Sequence, residues 1–307
     1  MAGRTFELMA TTDVGVHQSA GRAAGAPVVN NMSIQVATVN GSGSQSSNTV
    51  LLKTIFQMGV PVSGKNLFPS NIAGLPTWYT IRANKDGYVA RKKEIDFLVA
   101  MNQETARDDV MTLAPGAAVL YDEPLNLGGL RDDLVFYAVP FDKLVAPVCP
   151  EAKLRKLVKN MIYVGVVAQL IELDMAEVEK AIRRQFAKKV KAANLNMAAV
   201  QAGFDYAAAS LTKRDPFQVK RMDKNHGKII IDGNAASALG CLFAGVTVLS
   251  WYPITPSSSL AESLIEYLKR FRIGPDGKAT FAVVQAEDEL AAIGMVVGAG
   301  WAGARAM

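Results

Sequence analysis

Apolar residues fall into short unbroken runs separated by stretches of helical spacing. The run SIQVATV at 33–39 is β-branched, uncharged and too short for a helix, which predicts a strand buried on both faces. NGSGSQSSN at 40–48 reads as a glycine and serine loop, and 49–58 shows apolar residues at helical intervals. IDFLVAM at 95–101 and the stretch 117–121 predict further core strands. Strands alternating with helical stretches predict an α/β fold with a parallel, doubly wound sheet. Residues 153–173 and 175–193 read as two helices with Asp174 near the break, and Asp215-Pro216 ends this region.

A second pattern follows. It predicts a short strand at 229–231, a helix at 232–244, a strand at 246–251, a helix at 256–271, a strand at 282–285 and an Ala/Gly-rich helix at 289–307, with right-handed crossovers. Nothing in GARAM reads as closing the last helix, so 229–307 is expected to be the incomplete start of a larger domain. The organisation expected is an arm at 1–31, a doubly wound domain at 32–216, a linker at 217–228 and an incomplete α/β domain at 229–307. The arm carries Arg4, Glu7, Asp13 and Arg22 and no apolar core of signal-peptide length.

Composition narrows the class. The chain has 307 residues, 50% apolar and 20% charged, which excludes a disordered chain and sets a prior of about two domains. Two cysteines, Cys149 and Cys241, exclude a disulfide framework and a cysteine-held cluster on this chain alone. Two histidines, His17 and His226, exclude a histidine-built zinc site. A reduced, cytoplasmic, metal-free subunit is expected. The longest uncharged run, 233–261, contains Asn234, Gly240, Gly245, Pro253 and Pro256 and reads as a buried helix and strand, not a membrane span. The net charge of +5 is uneven, since 151–224 carries 15 basic and 8 acidic residues. Lys180, Arg183, Arg184, Lys188 and Lys191 recur at helical spacing without interleaved aromatic residues, which reads as a solvated helix face and argues against nucleic acid.

Four segments resemble chemistry. GSGSQS at 41–46 lies between a strand and a helix as a dinucleotide fingerprint does. Ser46 replaces its third glycine and no acidic residue follows at ribose-binding distance, so a tight turn is favoured. Such a turn still points backbone N–H groups at any nearby anion. GVPVSGKN at 59–66 approaches a P-loop, but Asn66 stands where a magnesium-binding hydroxyl belongs. YPITPSS at 252–258 follows a strand. Thr255 reads as a cap with Pro256 at the first helical position, placing hydroxyls where open α/β sheets bind ligands. A ligand site and a plain helix start remain equal readings. QAEDE at 285–289 ends the next strand at the same edge. Glu289 precedes an uncharged Ala/Gly stretch, so apolar packing beside its carboxyl competes with a surface position.

GNAASALG (233–240), YPITPSS (252–258) and QAEDELAAIGMVVGAGWAGARAM (285–307) together resemble the alpha subunit of 2-oxoacid:ferredoxin oxidoreductases. NGSGSQSSN (40–48), NLFPSNIAGLPTWYTIR (66–82) and AMNQET (100–105) resemble that family's gamma domain, fused upstream. The resemblance covers about 32–307, and the family continues beyond GARAM. It implies a doubly wound gamma-type domain followed by the start of a thiamine-diphosphate pyrimidine-side domain. It also implies oxidative decarboxylation of a 2-oxoacid, with 2-oxoglutarate the first expectation and pyruvate or a branched-chain 2-oxoacid the alternative. Coenzyme A is the implied co-substrate and ferredoxin the acceptor. A beta subunit would supply magnesium, a [4Fe-4S] cluster and the diphosphate side of the cofactor site. The resemblance assigns Glu289 to the aminopyrimidine ring, Tyr252, Pro253 and Ile254 to cofactor binding, and Thr255, Ser257 and Ser258 to the substrate. It sets the loop 66–78 at a subunit interface near the coenzyme A approach. A nucleotide-binding dehydrogenase and a non-catalytic scaffold are the readings from other classes.

Overall fold

The computed structural model describes residues 26–67, 72–187 and 189–307, so the expected arm lies outside the described residues up to position 25. The N-terminal region runs β1 (Val28–Val29), β2 (Asn31–Val39), α1 (Ser44–Gln57), β3 (Val62–Leu67), β4 (Pro76–Asn84), β5 (Phe97–Ala100), α2 (Ala106–Met111), β6 (Ala118–Asp122), β7 (Val135–Val139), α3 (Phe141–Val148), α4 (Ala152–Leu170), α5 (Met175–Gln185), α6 (Val190–Ser210) and β8 (Phe217–Gln218). The C-terminal region runs α7 (Gly233–Phe243), β9 (Val248–Trp251), α8 (Ser258–Phe271), β10 (Ala282–Gln285) and α9 (Glu289–Trp301).

The main sheet has six strands in the order β3-β4-β2-β5-β6-β7. Strands β2, β5, β6 and β7 are parallel, whereas β4 is antiparallel to both β2 and β3. The sheet is mostly parallel, as expected, with one addition: the P-loop lookalike runs into β3, and an antiparallel hairpin extends the sheet beyond β2. Helices cover both faces, as the unbroken apolar β2 and β5 require. One core lies under α1 and α4, with Ile34, Leu51, Phe97 and Ile162 fully buried. The other lies under α2, with Leu98, Val110 and Val119 fully buried.

The helix expected at 175–193 is two helices. Asp174 caps α5 by accepting from Ala176 N at 2.9 Å, and the chain turns after Gln185, with Phe186 packed on the core. The turn sends α6 back against α4. A Cβ on Gly165 would lie 1.9 Å from Val200 O, and one on Gly203 2.2 Å from Ile162 O, so the two backbones meet at glycines. The end of the region is pinned by a buried polar set. Tyr137 OH donates to Asp215 Oδ2 at 2.7 Å and accepts from Arg214 N, while Lys213 Nζ donates to Asp215 Oδ1 at 2.9 Å. β8 then pairs in parallel with β1, Val28 opposite Phe217.

In the C-terminal region β9 and β10 are parallel, and α7 and α8 bury Ala238, Leu242, Leu264 and Leu268 with Leu249. Two expectations fail. Residues 229–231 form no strand: Ile229 and Ile231 are exposed, because β10 takes one edge of β9 and Arg305–Met307 the other. There Ser250 N donates to Met307 O and Met307 N to Val248 O, both at 2.9 Å. The last helix also stops at Trp301. Gly303, at φ 86°, closes it: Ala304 N reaches Ala299 O and Gly303 N reaches Gly300 O, each at 3.0 Å. That is the left-handed glycine stop of a Schellman motif, held in the GARAM segment that reads as having none.

Candidate functional site

Because β9 and β10 are parallel, their carboxyl ends share one edge, where Trp251 and Gln285 are register partners and Ala286 N donates to Trp251 O at 2.8 Å. Thr255 and Glu289 each lie four residues beyond that pair. Helix α7 starts at the same edge. Asp232 caps it, accepting from Ala235 N at 2.8 Å. Asn234 Nδ2 then donates to Pro256 O at 2.8 Å and Ser259 Oγ at 2.6 Å. One amide thus ties the start of α7 to the start of α8.

Thr255 does not cap α8. That helix starts at Ser258, with Ser257 before it and no side-chain cap bond, while Thr255 and Pro256 form the preceding turn. Ser257 Oγ donates to Ile254 O at 2.8 Å, fixing the turn. Thr255 is left exposed and lines two clefts. One, of about 510 Å³, is shared with Asp232, Asn234, Ser258 and Glu262. The other, of about 420 Å³, opens against the N-terminal region, with Asn40, Gly43, Gln45, Asn48 and Tyr79 on the far wall.

That wall is the glycine and serine loop. Gly43, at φ 82°, precedes α1 without a side-chain cap, so the first N–H groups of α1 face the cleft. The loop is held by Asn160 Nδ2 donating to Ser42 O at 2.7 Å and by the Thr38–Ser44 hydroxyl pair at 2.8 Å. Burial pushes the Tyr79 phenol up to about 12, so the wall presents a neutral hydroxyl.

Glu289 is the first residue of α9, and the structure does not bring it into either cleft with Thr255. Of the two readings of its carboxyl the structure gives the surface position: Glu289 is exposed, and α9 buries none of its residues. Asp288 Oδ1 accepts from Ala291 N at 2.7 Å, so of the three carboxylates this one is the helix cap. Tyr252 is half-buried, while Pro253 and Ile254 are exposed along the same edge. Sequence reasoning missed Asn234, whose partners Pro256 and Ser259 lie on another helix start, beyond the reach of local spacing. Among the described residues no cluster of His, Cys, Asp or Glu could hold a metal, and Cys149 and Cys241 are free thiols. Within the basic stripe Arg183 pairs with Glu179 at 2.6 Å and Lys180 with Glu177 at 3.3 Å. No described helix is long and apolar enough to cross a membrane.

Residues 33–206 match the family of pyruvate ferredoxin/flavodoxin oxidoreductases, more than half of the chain. The chain belongs to that family. Residues 239–307, which hold both loops at the β9–β10 edge, match its thiamine-diphosphate-binding domain family. The chain is 25% identical to subunit alpha of 2-oxoacid:ferredoxin oxidoreductase 2 from Aeropyrum pernix, over 90% of this chain and 50% of that one. It is 28% identical to 2-oxoglutarate oxidoreductase subunit KorA from Mycobacterium tuberculosis, over 68% of this chain and 34% of that one. The solved 2-oxoglutarate:ferredoxin oxidoreductase from Magnetococcus marinus, with 2-oxoglutarate, coenzyme A and succinyl-CoA bound, matches with a TM-score of 0.77 at 28% identity, over 91% of this chain and 47% of that one. The chain thus spans about half the length of these two full-coverage matches.

Proposed function

We propose that this chain forms part of the alpha-type subunit of a thiamine-dependent 2-oxoacid:ferredoxin oxidoreductase that converts 2-oxoglutarate to its acyl-coenzyme A and carbon dioxide. The observation that carries this is the Trp251–Gln285 register, which sets Thr255 and Glu289 at one open sheet edge. The adjacent carboxylate differs from Glu289 in use: Asp288 is the cap, while Glu289 has no hydrogen-bond partner among the described residues. Gly294, Gly298 and Gly300 leave open space along α9 where side chains would stand, which fits the approach of a flat ring.

When bound, thiamine diphosphate supplies the carbon that accepts the electrons released by decarboxylation. Glu289 would hold a proton at the pyrimidine nitrogen facing it, with Tyr252, Pro253 and Ile254 walling the ring. Thr255 and Ser258 would donate to the 2-oxoacid, and Ser257, engaged with Ile254 O, would hold their turn. A beta-type partner subunit would carry magnesium and the [4Fe-4S] cluster, with ferredoxin as acceptor. The test is coenzyme A-dependent reduction of a viologen dye by the chain assembled with such a partner, over a panel of 2-oxoacids. The reading predicts turnover highest with 2-oxoglutarate. Preference for pyruvate or a branched-chain acid would reassign the substrate, and no turnover with any 2-oxoacid would overturn the function.

A further inference from the structure

The opposite end of α1 from the Thr255 cleft, about 20 Å along a 14-residue helix, carries a second concave surface. Residues 221–230 lie over that end as a strap. Met222 N donates to Met58 O at 2.8 Å and Lys224 N to Gly59 O at 3.0 Å. Asn225 Nδ2 donates to Phe56 O at 2.9 Å and Val60 O at 2.8 Å. The strap sits so close that a Cβ on Gly59 would fall 1.8 Å from Met222 O. Between strap, α1 and α5 it encloses about 680 Å³, within the range of small-molecule sites.

The lining is predominantly basic. Lys53, Arg184 and Lys228 line it with His226 and one carboxylate, Asp223. Arg221 also borders it but is paired with Asp174 at 2.6 Å and Glu177 at 3.2 Å. Lys53 Nζ donates to the neutral Gln185 Oε1 at 2.9 Å, and neither Lys53 nor Arg184 has a counter-ion among the described residues. Burial and the neighbouring Arg184 charge both hold the Lys53 ammonium below its ordinary range. These cations do not serve the end of α1, because its last carbonyls at Thr54, Ile55 and Phe56 already accept from Met58, Val60, Gly59 and Asn225. Two like charges set together in a cleft, neither paired with a carboxylate, are satisfied by a multivalent anion. Phe56 and Ile230 add an apolar wall.

We propose that this cleft binds a nucleoside polyphosphate, its phosphates held by Lys53, Arg184 and Lys228 and its base against the apolar wall. The inference stands apart from the thiamine reading and survives its failure. The test is isothermal titration of the 307-residue chain with ADP and, separately, inorganic pyrophosphate at 0.15 M salt. Saturable binding of ADP is expected, weaker binding of pyrophosphate, and affinity that falls as salt rises. Lys53→Met and Arg184→Gln should each weaken ADP about tenfold or more, while Lys278→Gln, exposed and remote, should not change it. Arg184 is exposed, so its replacement leaves the fold intact even if Lys53→Met does not. No saturable ADP binding, affinity unchanged in Arg184→Gln, or pyrophosphate binding as tightly as ADP would overturn the proposal.

Discussion

The two regions of this chain treat the same architecture in opposite ways. In the N-terminal region parallel strands are sealed on both faces, with α4 contributing Ile162, Val164, Val166 and Val167 at zero exposure. In the C-terminal region α7 and α8 build a small core on β9, yet every residue of β10 is exposed and α9 buries none. Leu290, Ile293, Val297 and Trp301 stand 82, 57, 54 and 89% exposed on one helix. An apolar face of that kind fits packing against a further element or chain. The difference teaches where apolar surface is sealed and where it is left open: the sealed region sets Asn40, Gly43, Gln45 and Asn48 along one cleft wall, and the open region sets Thr255 on the other and Glu289 at the same sheet edge.

The largest effect expected concerns Glu289. Glu289→Gln in the assembled enzyme should lower 2-oxoacid-dependent dye reduction by about 10²–10⁴-fold, with Glu287→Gln close to wild type. The reverse ranking would move the role two residues along. The contrast in burial is tested by matched truncations. Leu51→Ala, at a fully buried site, should cost about 2–5 kcal/mol in denaturant unfolding. Leu290→Ala should stay within about 0.5 kcal/mol, and equal losses would remove the contrast. Thr255→Ala should reduce kcat/KM by the equivalent of about 1.5–3 kcal/mol through a lost bond to a charged substrate. Since Thr255 makes no cap, its melting temperature should not move; a fall would restore the cap reading. The smallest effect is Gly303→Ala, where a left-handed φ of 86° makes a loss of about 1 kcal/mol the expectation.

Much of this was legible because it followed period and composition. β2, β5 and β6 are short, largely apolar runs, and Asp174 and Asp232 mark helix starts by residue type alone. The β3–β4 hairpin was not, because its glycine and lysine resemble a phosphate loop and its pairing is set by β2, a partner distant in sequence. Residues 229–231 have the β-branched look of a strand but find no free edge on β9. Thr255 carries every local mark of a cap, yet the helix begins three residues later. Glu289 was placed at its edge by the strand pattern; its exposure follows from α9 burying none of its residues, which apolar pattern does not report. Asn234 acts across the fold on Pro256, a contact that no spacing rule registers.

The contrast between the regions is tested most directly by hydrogen–deuterium exchange on the chain alone and after assembly with a beta-type partner subunit. The account predicts that amides across α4 exchange orders of magnitude more slowly than those of α9 in the free chain, and that α9 slows on assembly while α4 does not change. Equal protection of α4 and α9 in the free chain, or an α9 indifferent to the partner, would contradict it.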